Sequence, residues 1–399
     1  MYIKRALKSQ KKLIKRTIRV IAICLCTMIC VLAIPVQAAP AENSASGLNF
    51  ECKSAILIEA ETGSVLYEKN ADAALPPASV TKVMTLLLVM EAIEDGRIKY
   101  DDKVRASQNA CSMGGSQIYL EENEEMSVEE LLKSVIIASA NDAAVALAEY
   151  VAGSEASFVE KMNQKAKELG MKNSCFENTN GLDDTTQNHL TSARDIATMS
   201  RELIKYPKIT EYSSIWMDTI RNGEFGLTNT NRLVRFYKGA TGLKTGSTSK
   251  AGFCISATAK RDGMTLVCVI MGAPSRDIRN AAATSLLDYG FANYGIYTAN
   301  GETIEEIPVL KGSKASVKAG YKGYQSVLNK SEQAKVERHI EIPDTLDAPV
   351  KKGDVVGSVV YKIGDKVIAS NDILAQEDVA KLDVFTAFLL LLEKCAQIL

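Results

Sequence analysis

Two runs in the second half of the chain, GFCISATA at residues 252–259 and TLVCVIMG at residues 265–272, are apolar almost throughout and flank Arg261-Asp262-Gly263. Asp-Gly between two such runs is a hairpin signal, so they read as adjacent strands of an antiparallel sheet. A sheet built from strands this apolar needs helices over it. The chain supplies them, together with a second hairpin. Residues 54–70, SAILIEAETGSVLYEKN, alternate and turn at Thr62-Gly63. Helical spacing then places Val83, Leu86, Leu87, Met90 and Ile93 on one face, with Gly96 as a stop. A second helical region opens with a Ser127–Glu130 capping box and breaks at Ser139-Ala140-Asn141. Further helices are expected at about 155–169, at 192–205 with Ser192 or Thr191 as cap, and at 276–292. Strands at both ends with helices between them give an α+β fold.

The two ends of the chain ask for different treatment. The first nineteen residues carry eight Lys or Arg and no acid, and an apolar run at 20–34 follows. With Pro35 and a small-residue box at Val36-Gln37-Ala38, this has the order of a secretory signal, and an uncleaved amino-terminal anchor is the alternative. The expected organisation is a signal peptide at 1–38, the α+β domain at 39–295, a small all-β domain at 296–376 and a terminal helix at 377–399. In that last segment Leu382, Phe385, Leu389 and Leu392 keep helical spacing, and Val384, Phe388 and Leu391 widen the stripe. Its apolar stretch is too short to span a bilayer. Its length and position suit an amphipathic helix in the membrane interface, and packing on the protein's own core is the other reading.

Charge and rare residues exclude several functions. Without the leader the chain has 39 basic and 48 acidic side chains, an excess that argues against a nucleic-acid partner. Cys52, Cys111, Cys175, Cys254, Cys268 and Cys395 are scattered with no C-x-x-C pair, so neither a disulfide framework nor a zinc site is indicated, and no metal or cofactor is expected. His189 and His339 are the only histidines, which makes a Ser-His-Asp hydrolase improbable. Serine chemistry here needs another base.

Acyl transfer without histidine needs a nucleophile, a proton acceptor, oxyanion donors and a cation for an anionic substrate end. Ser79 and Lys82 share a helical face, and an apolar helix around Lys82 would lower its pKa. The spacing alone decides nothing, because Ser9–Lys12 and Ser247–Lys250 repeat it. Context adds weight. Ser139 and Asn141 interrupt an apolar helix, where polar side chains face a cavity or are costly to bury. Lys244-Thr245-Gly246 falls on a candidate edge strand, where Lys and Thr can hold a carboxylate and Gly admits a substrate backbone.

SVTK, SAN and KTG, separated by 60 and then 105 residues, resemble the three motifs of the penicillin-recognising serine acyl transferases. PPASVTKVMT, GGSQIYL, SANDAAVALAEYVAGS, NTNGLDD, HLTSARDIATMSREL and GLKTGSTSKAGFC resemble, more narrowly, the D-alanyl-D-alanine carboxypeptidases among the low-molecular-mass penicillin-binding proteins. Asn180, in NTNGLDD, and Leu190-Thr191, in HLTSARD, depart from the common pattern without touching the three motifs. The resemblance implies the penicillin-binding/β-lactamase-like fold, a small β domain, a terminal helix on the outer face of the cytoplasmic membrane, and an exported protein. It implies a substrate, the peptidoglycan stem peptide ending in D-Ala-D-Ala, with β-lactams as mimics. It assigns Ser79 as nucleophile, Lys82 as base and Ser139 as proton relay to the leaving amine. Asn141 would hold the peptide amide or orient Lys82. Backbone N–H groups of Ser79 and Ser247 would form the oxyanion hole. Lys244, Thr245 and Gly246 would receive the carboxylate end, helped by Arg279, with Arg276 a close second. The rival readings are a class A β-lactamase, disfavoured by Ala140 in the middle of SAN, and a catalytically silent scaffold.

Overall fold

A computed structural model describes residues 48, 50–385, 387 and 388. The expected signal peptide and most of the expected terminal helix lie outside the described residues.

The two apolar runs are strands β4 (Gly252–Arg261) and β5 (Met264–Ala273), paired antiparallel after β3 (Ala240–Thr248). The amino-terminal hairpin, β1 (Ser54–Glu59) and β2 (Val65–Lys69), joins the far side of β5, giving the order β2-β1-β5-β4-β3. Strand β3, which carries Lys244-Thr245-Gly246, is thus an edge, as its sequence suggested.

Both faces of this sheet are covered, which explains the near-continuous apolar strands. On one side Ile56, Val267, Val269 and Met271 join the core of the helical lobe. Leu57 and Leu266 point the other way and press on Gly290 of α6 (Arg276–Asn293). A Cβ at Gly290 would stand 2.6 Å from Leu266 and 2.8 Å from Leu57, so only hydrogen fits there.

The helical lobe is centred on α1 (Lys82–Glu94). The spacing predicts one apolar face, but Met84, Leu88 and Val89 are buried as well, so the helix is enclosed on all sides from Lys82 to Met90. Each such side chain contributes about 1.5–3 kcal/mol by leaving water. A capping box of Ser127 and Glu130 starts α2 (Val128–Lys133) as expected. The polar break is a π-turn, Ser134–Ala138, followed by Ser139 at φ 65° and then α3 (Asn141–Ala152). Helices α4 (Glu155–Glu168) and α5 (Ala193–Leu203, capped by Ser192) complete the lobe.

The carboxyl-terminal part is β-rich. A six-stranded sheet runs in the order Val336–Glu341, Val355–Ile363, Lys366–Ala375, Ser316–Gly320, Thr303–Leu310 and Leu346–Asp347, beside a ribbon of Tyr294–Ala299 with Tyr324–Asn329. One helical turn, Lys330–Gln333, interrupts it, so "all-β" is too strict. The chain also stays extended beyond residue 376, with bridges Val350 to Val379 and Gly312 to Lys381. These bridges fasten residues 379 and 381 to the β domain, so the expected helix does not begin at 377.

Candidate active site

Ser79 lies in a 3-10 turn, Ala78–Thr81, directly before α1. The preceding Ala78 takes φ 49°, an uncommon conformation for a residue with a side chain. Two neighbours hold this turn. Loop residue Gly181 packs so closely that a Cβ would stand 1.9 Å from Ala78 O, and Gly246 of β3 approaches Ser79 N to 2.7 Å by the same measure. Gly246 therefore has a concrete role: it lets the edge strand lie against the backbone of Ser79. Ser247, the next residue, is exposed and lines the same cavity.

His189 braces the turn from behind. Its Nδ1 accepts from Glu177 N at 3.0 Å, so the ring proton sits on Nε2 and is donated to Thr81 Oγ1 at 2.7 Å, which donates in turn to Ala78 O. Burial pushes the ring's pKa down to about 4 from 6.5. The folded state thus resists protonation, and the stabilisation is complete above pH 6.5 and lost as pH falls toward 4. That window is worth on the order of 3 kcal/mol. In urea unfolding from pH 7 to pH 4, His189→Gln should be less stable than wild type at pH 7, and the gap should close as pH falls. A constant gap would contradict this.

Lys82 is fully buried at the first turn of α1. Its Nζ reaches Ser79 Oγ at 2.9 Å, Asn141 Oδ1 at 2.5 Å and Asn180 O at 2.8 Å. Burial first, then the charge of Lys244, hold its pKa well below the ordinary lysine value, against an opposing pull from Asp142. The three partners differ in kind. Two are carbonyl oxygens, which only accept, so a neutral amine gives them its two N–H bonds and turns its lone pair toward the Ser79 hydroxyl.

The break in the helix places two more predicted residues. Ser139, 4% exposed, accepts from Lys244 Nζ at 2.8 Å, and Lys244 donates also to Thr245 O at 2.9 Å. Lys244 is itself buried, and burial followed by the charge of Arg279 pushes its pKa down to about 7. Asn141 Nδ2 donates to Gly114 O at 2.6 Å while its Oδ1 faces Lys82, an arrangement that favours orienting Lys82 over holding a peptide amide. Asp142 accepts from the N–H groups of Ile118 and Leu120 and so pins the loop that carries Ser116.

Ser79, Ser139, Thr245, Gly246, Ser247 and Arg279 line one cavity of about 540 Å³. Arg279, 3% exposed, is held by Asn280 Oδ1 at 2.8 Å, and Arg276, exposed, lines the cavity as well. All predicted side chains therefore converge, Lys82 and Lys244 forming the floor beneath Ser79 and Ser139. Sequence pattern did not single out Ser116, Trp216, Thr230 or Arg232, which share the lining, nor the carbonyls of Gly114 and Asn180. Thr230 Oγ1 accepts from Thr245 Oγ1 at 2.8 Å, and Asn180 was noted only as a departure from a motif. Among the described residues no cluster of His, Cys, Asp and Glu has the makings of a metal site, and Cys52, Cys111, Cys175, Cys254 and Cys268 are free thiols.

Residues 40–275 match the family model described as D-alanyl-D-alanine carboxypeptidase, and residues 296–381 match that of the penicillin-binding protein 5 C-terminal domain. The D-alanyl-D-alanine carboxypeptidase DacF of Bacillus subtilis is 45% identical over 349 residues, covering 86% of this chain and 89% of its own. Penicillin-binding protein 5 of Haemophilus influenzae has a solved structure with TM-score 0.73 and 33% identity, covering 84% of this chain and 99% of the other. Penicillin-binding protein D2 of Listeria monocytogenes, solved in an ampicillin-bound form, has TM-score 0.57 and 32% identity, with coverage of 61% and 99%.

Proposed function

Since the chain belongs to the D-alanyl-D-alanine carboxypeptidase family of low-molecular-mass penicillin-binding proteins, we propose that Ser79 is its acylated nucleophile and Lys82 the base that takes the proton. The single observation that carries this assignment is the contact of the buried Lys82 amine with Ser79 Oγ, with only carbonyl acceptors as its other partners. In the reaction Ser79 Oγ attacks the carbonyl between two terminal D-alanines, and the C–N bond breaks. The proton reaches the departing amine through Ser139, and water hydrolyses the ester. Backbone N–H groups of Ser79 and Ser247 take the oxyanion. Lys244, Thr245 and Arg279 receive the terminal carboxylate. A β-lactam, whose amide mimics the scissile bond, leaves a stable ester on Ser79.

Lys244 gives this reading a pH signature. It must be protonated to attract a carboxylate, and its pKa of about 7 sets the point above which that attraction fades. D-Alanine release from a defined pentapeptide should show kcat/KM declining on the alkaline side of about pH 7. Lys244→Arg should move that limb upward, because guanidinium stays charged. An unmoved limb would remove Lys244 from carboxylate recognition, and absence of D-alanine release would remove the function.

The same reading places the enzyme outside the cytoplasm, on the outer face of the cytoplasmic membrane. Val384, Phe385 and Phe388 are exposed where the chain leaves the β domain, which supports an amphipathic segment in the membrane interface. No helix among the described residues is long and apolar enough to cross a membrane.

A further inference from the structure

Ala78 and Ser79 share one peptide plane, and its two ends meet different neighbours. The bond is trans, so its C=O and N–H point in opposite directions. Ala78 O accepts from Thr81 Oγ1 at 2.8 Å in the protein interior. Ser79 N lies close to Gly246, which lines the cavity. Whatever fixes the carbonyl therefore fixes the N–H.

The carbonyl stands at the end of a chain of donors that runs one way. Glu177 N–H donates to His189 Nδ1 at 3.0 Å, His189 Nε2–H to Thr81 Oγ1 at 2.7 Å, and the Thr81 hydroxyl to Ala78 O. A threonine hydroxyl has one proton to give, and with a donor already at its oxygen that proton is directed to Ala78 O. Each bond polarises the next, so the peptide at the end of the chain presents a stronger N–H. The surroundings are shaped to this link. Thr81 is buried and so is His189, where an apolar residue would fill the space with no polar group to satisfy. A Cβ at Gly181, whose φ is 85°, would stand 1.9 Å from Ala78 O and 2.8 Å from Thr81 Oγ1, so any side chain there would part the two. Phe176 meets the His189 ring edge-on at 5.8 Å, and the bridge of Cys175 to Leu190 secures the next residue. Burial outweighs the pull of Glu177 and Asp183 toward protonation, which keeps Nδ1 an acceptor.

Resting on the function proposed above, we propose that His189 and Thr81 are positioning residues for the oxyanion hole, aiming and polarising the Ser79 N–H through the Ala78 carbonyl. The oxyanion draws on that N–H in both acylation and deacylation, and the ground-state substrate draws on it far less, so loss of the chain falls on kcat.

The test measures D-alanine release from a defined pentapeptide, and the infrared band of the ester carbonyl after acylation by penicillin. It compares wild type with Thr81→Val, Thr81→Ser, His189→Leu and the Thr81→Val/His189→Leu double variant. Thr81→Val keeps the shape and loses the hydroxyl. It should lower kcat by about tenfold or more with KM within about twofold, and should move the ester band to higher wavenumber as its hydrogen bond weakens. Thr81→Ser, which keeps the hydroxyl, should stay within about threefold of wild type. His189→Leu should act like Thr81→Val, and the double variant should lose no more than the weaker single variant, because the two residues act in series. The band comes only from molecules folded well enough to acylate, so it separates a misaimed N–H from a damaged fold. A Thr81→Val kcat near wild type, an unmoved band, or additive losses in the double variant would overturn this inference alone. A wild type that neither releases D-alanine nor forms the ester would overturn the function on which it rests.

Discussion

Replacing Lys82 with methionine should lower kcat/KM on a pentapeptide, and the rate of acylation by penicillin, by about a thousandfold, within the range general-base removal costs. Methionine keeps much of the length of the side chain and suits the apolar surroundings of α1, so the fold should survive. Two terms oppose each other in stability. The carbonyls of Asn141 and Asn180 lose their donor, at about 1–3 kcal/mol for a buried acceptor left unpaired. Against this, a fully buried amine no longer has to be desolvated. The melting temperature should therefore move far less than the rate. Lys82→Arg should fail as well, because a guanidinium cannot take a proton. Stopped-flow acylation beside a thermal melt separates the outcomes. A rate within tenfold of wild type would dismiss Lys82 as the base.

What the sequence could and could not foretell follows from which atoms carry the information. The side chains proposed to do chemistry were legible because their types are restricted. Ser79 and Lys82 recur by chance elsewhere in the chain, yet a polar break in an apolar helix and Lys-Thr-Gly on an edge strand do not recur together. The sheet and the helical lobe were legible through Asp262-Gly263, the Ser127–Glu130 box and the caps. Main-chain groups were not. The carbonyls of Gly114 and Asn180 orient Asn141 and Lys82, and any residue type supplies a carbonyl. Gly246 was expected to admit a substrate, but its approach to Ser79 N adds a structural requirement that spacing cannot reveal. One arginine of the cavity wall was hidden for a third reason. Arg232 looks like a surface arginine until the fold places it in the cavity lining with Arg276 and Arg279. Phe236, which no sequence pattern singled out, is exposed in the cavity wall.

The second large effect concerns Ser79 itself. Three serine hydroxyls meet the cavity beside it, and their surroundings differ. Ser139 accepts from Lys244, while Ser116 and Ser247 are exposed and have no amine at their oxygens among the described contacts. Of these four, Ser79 alone touches the amine whose burial and neighbours favour its neutral form. Its backbone nitrogen lies close to Gly246, which lines the cavity, a placement that suits an oxyanion formed on the acyl group it would carry. Ser79→Ala removes one oxygen and leaves Lys82 with two carbonyl partners, so folding should be little changed while covalent chemistry stops.

The most direct test is the intact mass of the purified protein after exposure to penicillin, for wild type and Ser79→Ala side by side. The account predicts one adduct per wild-type molecule, located on the peptide containing Ser79, and none on the variant. Equal labelling of the two proteins, or an adduct mapped to Ser139 or Ser247, would contradict it.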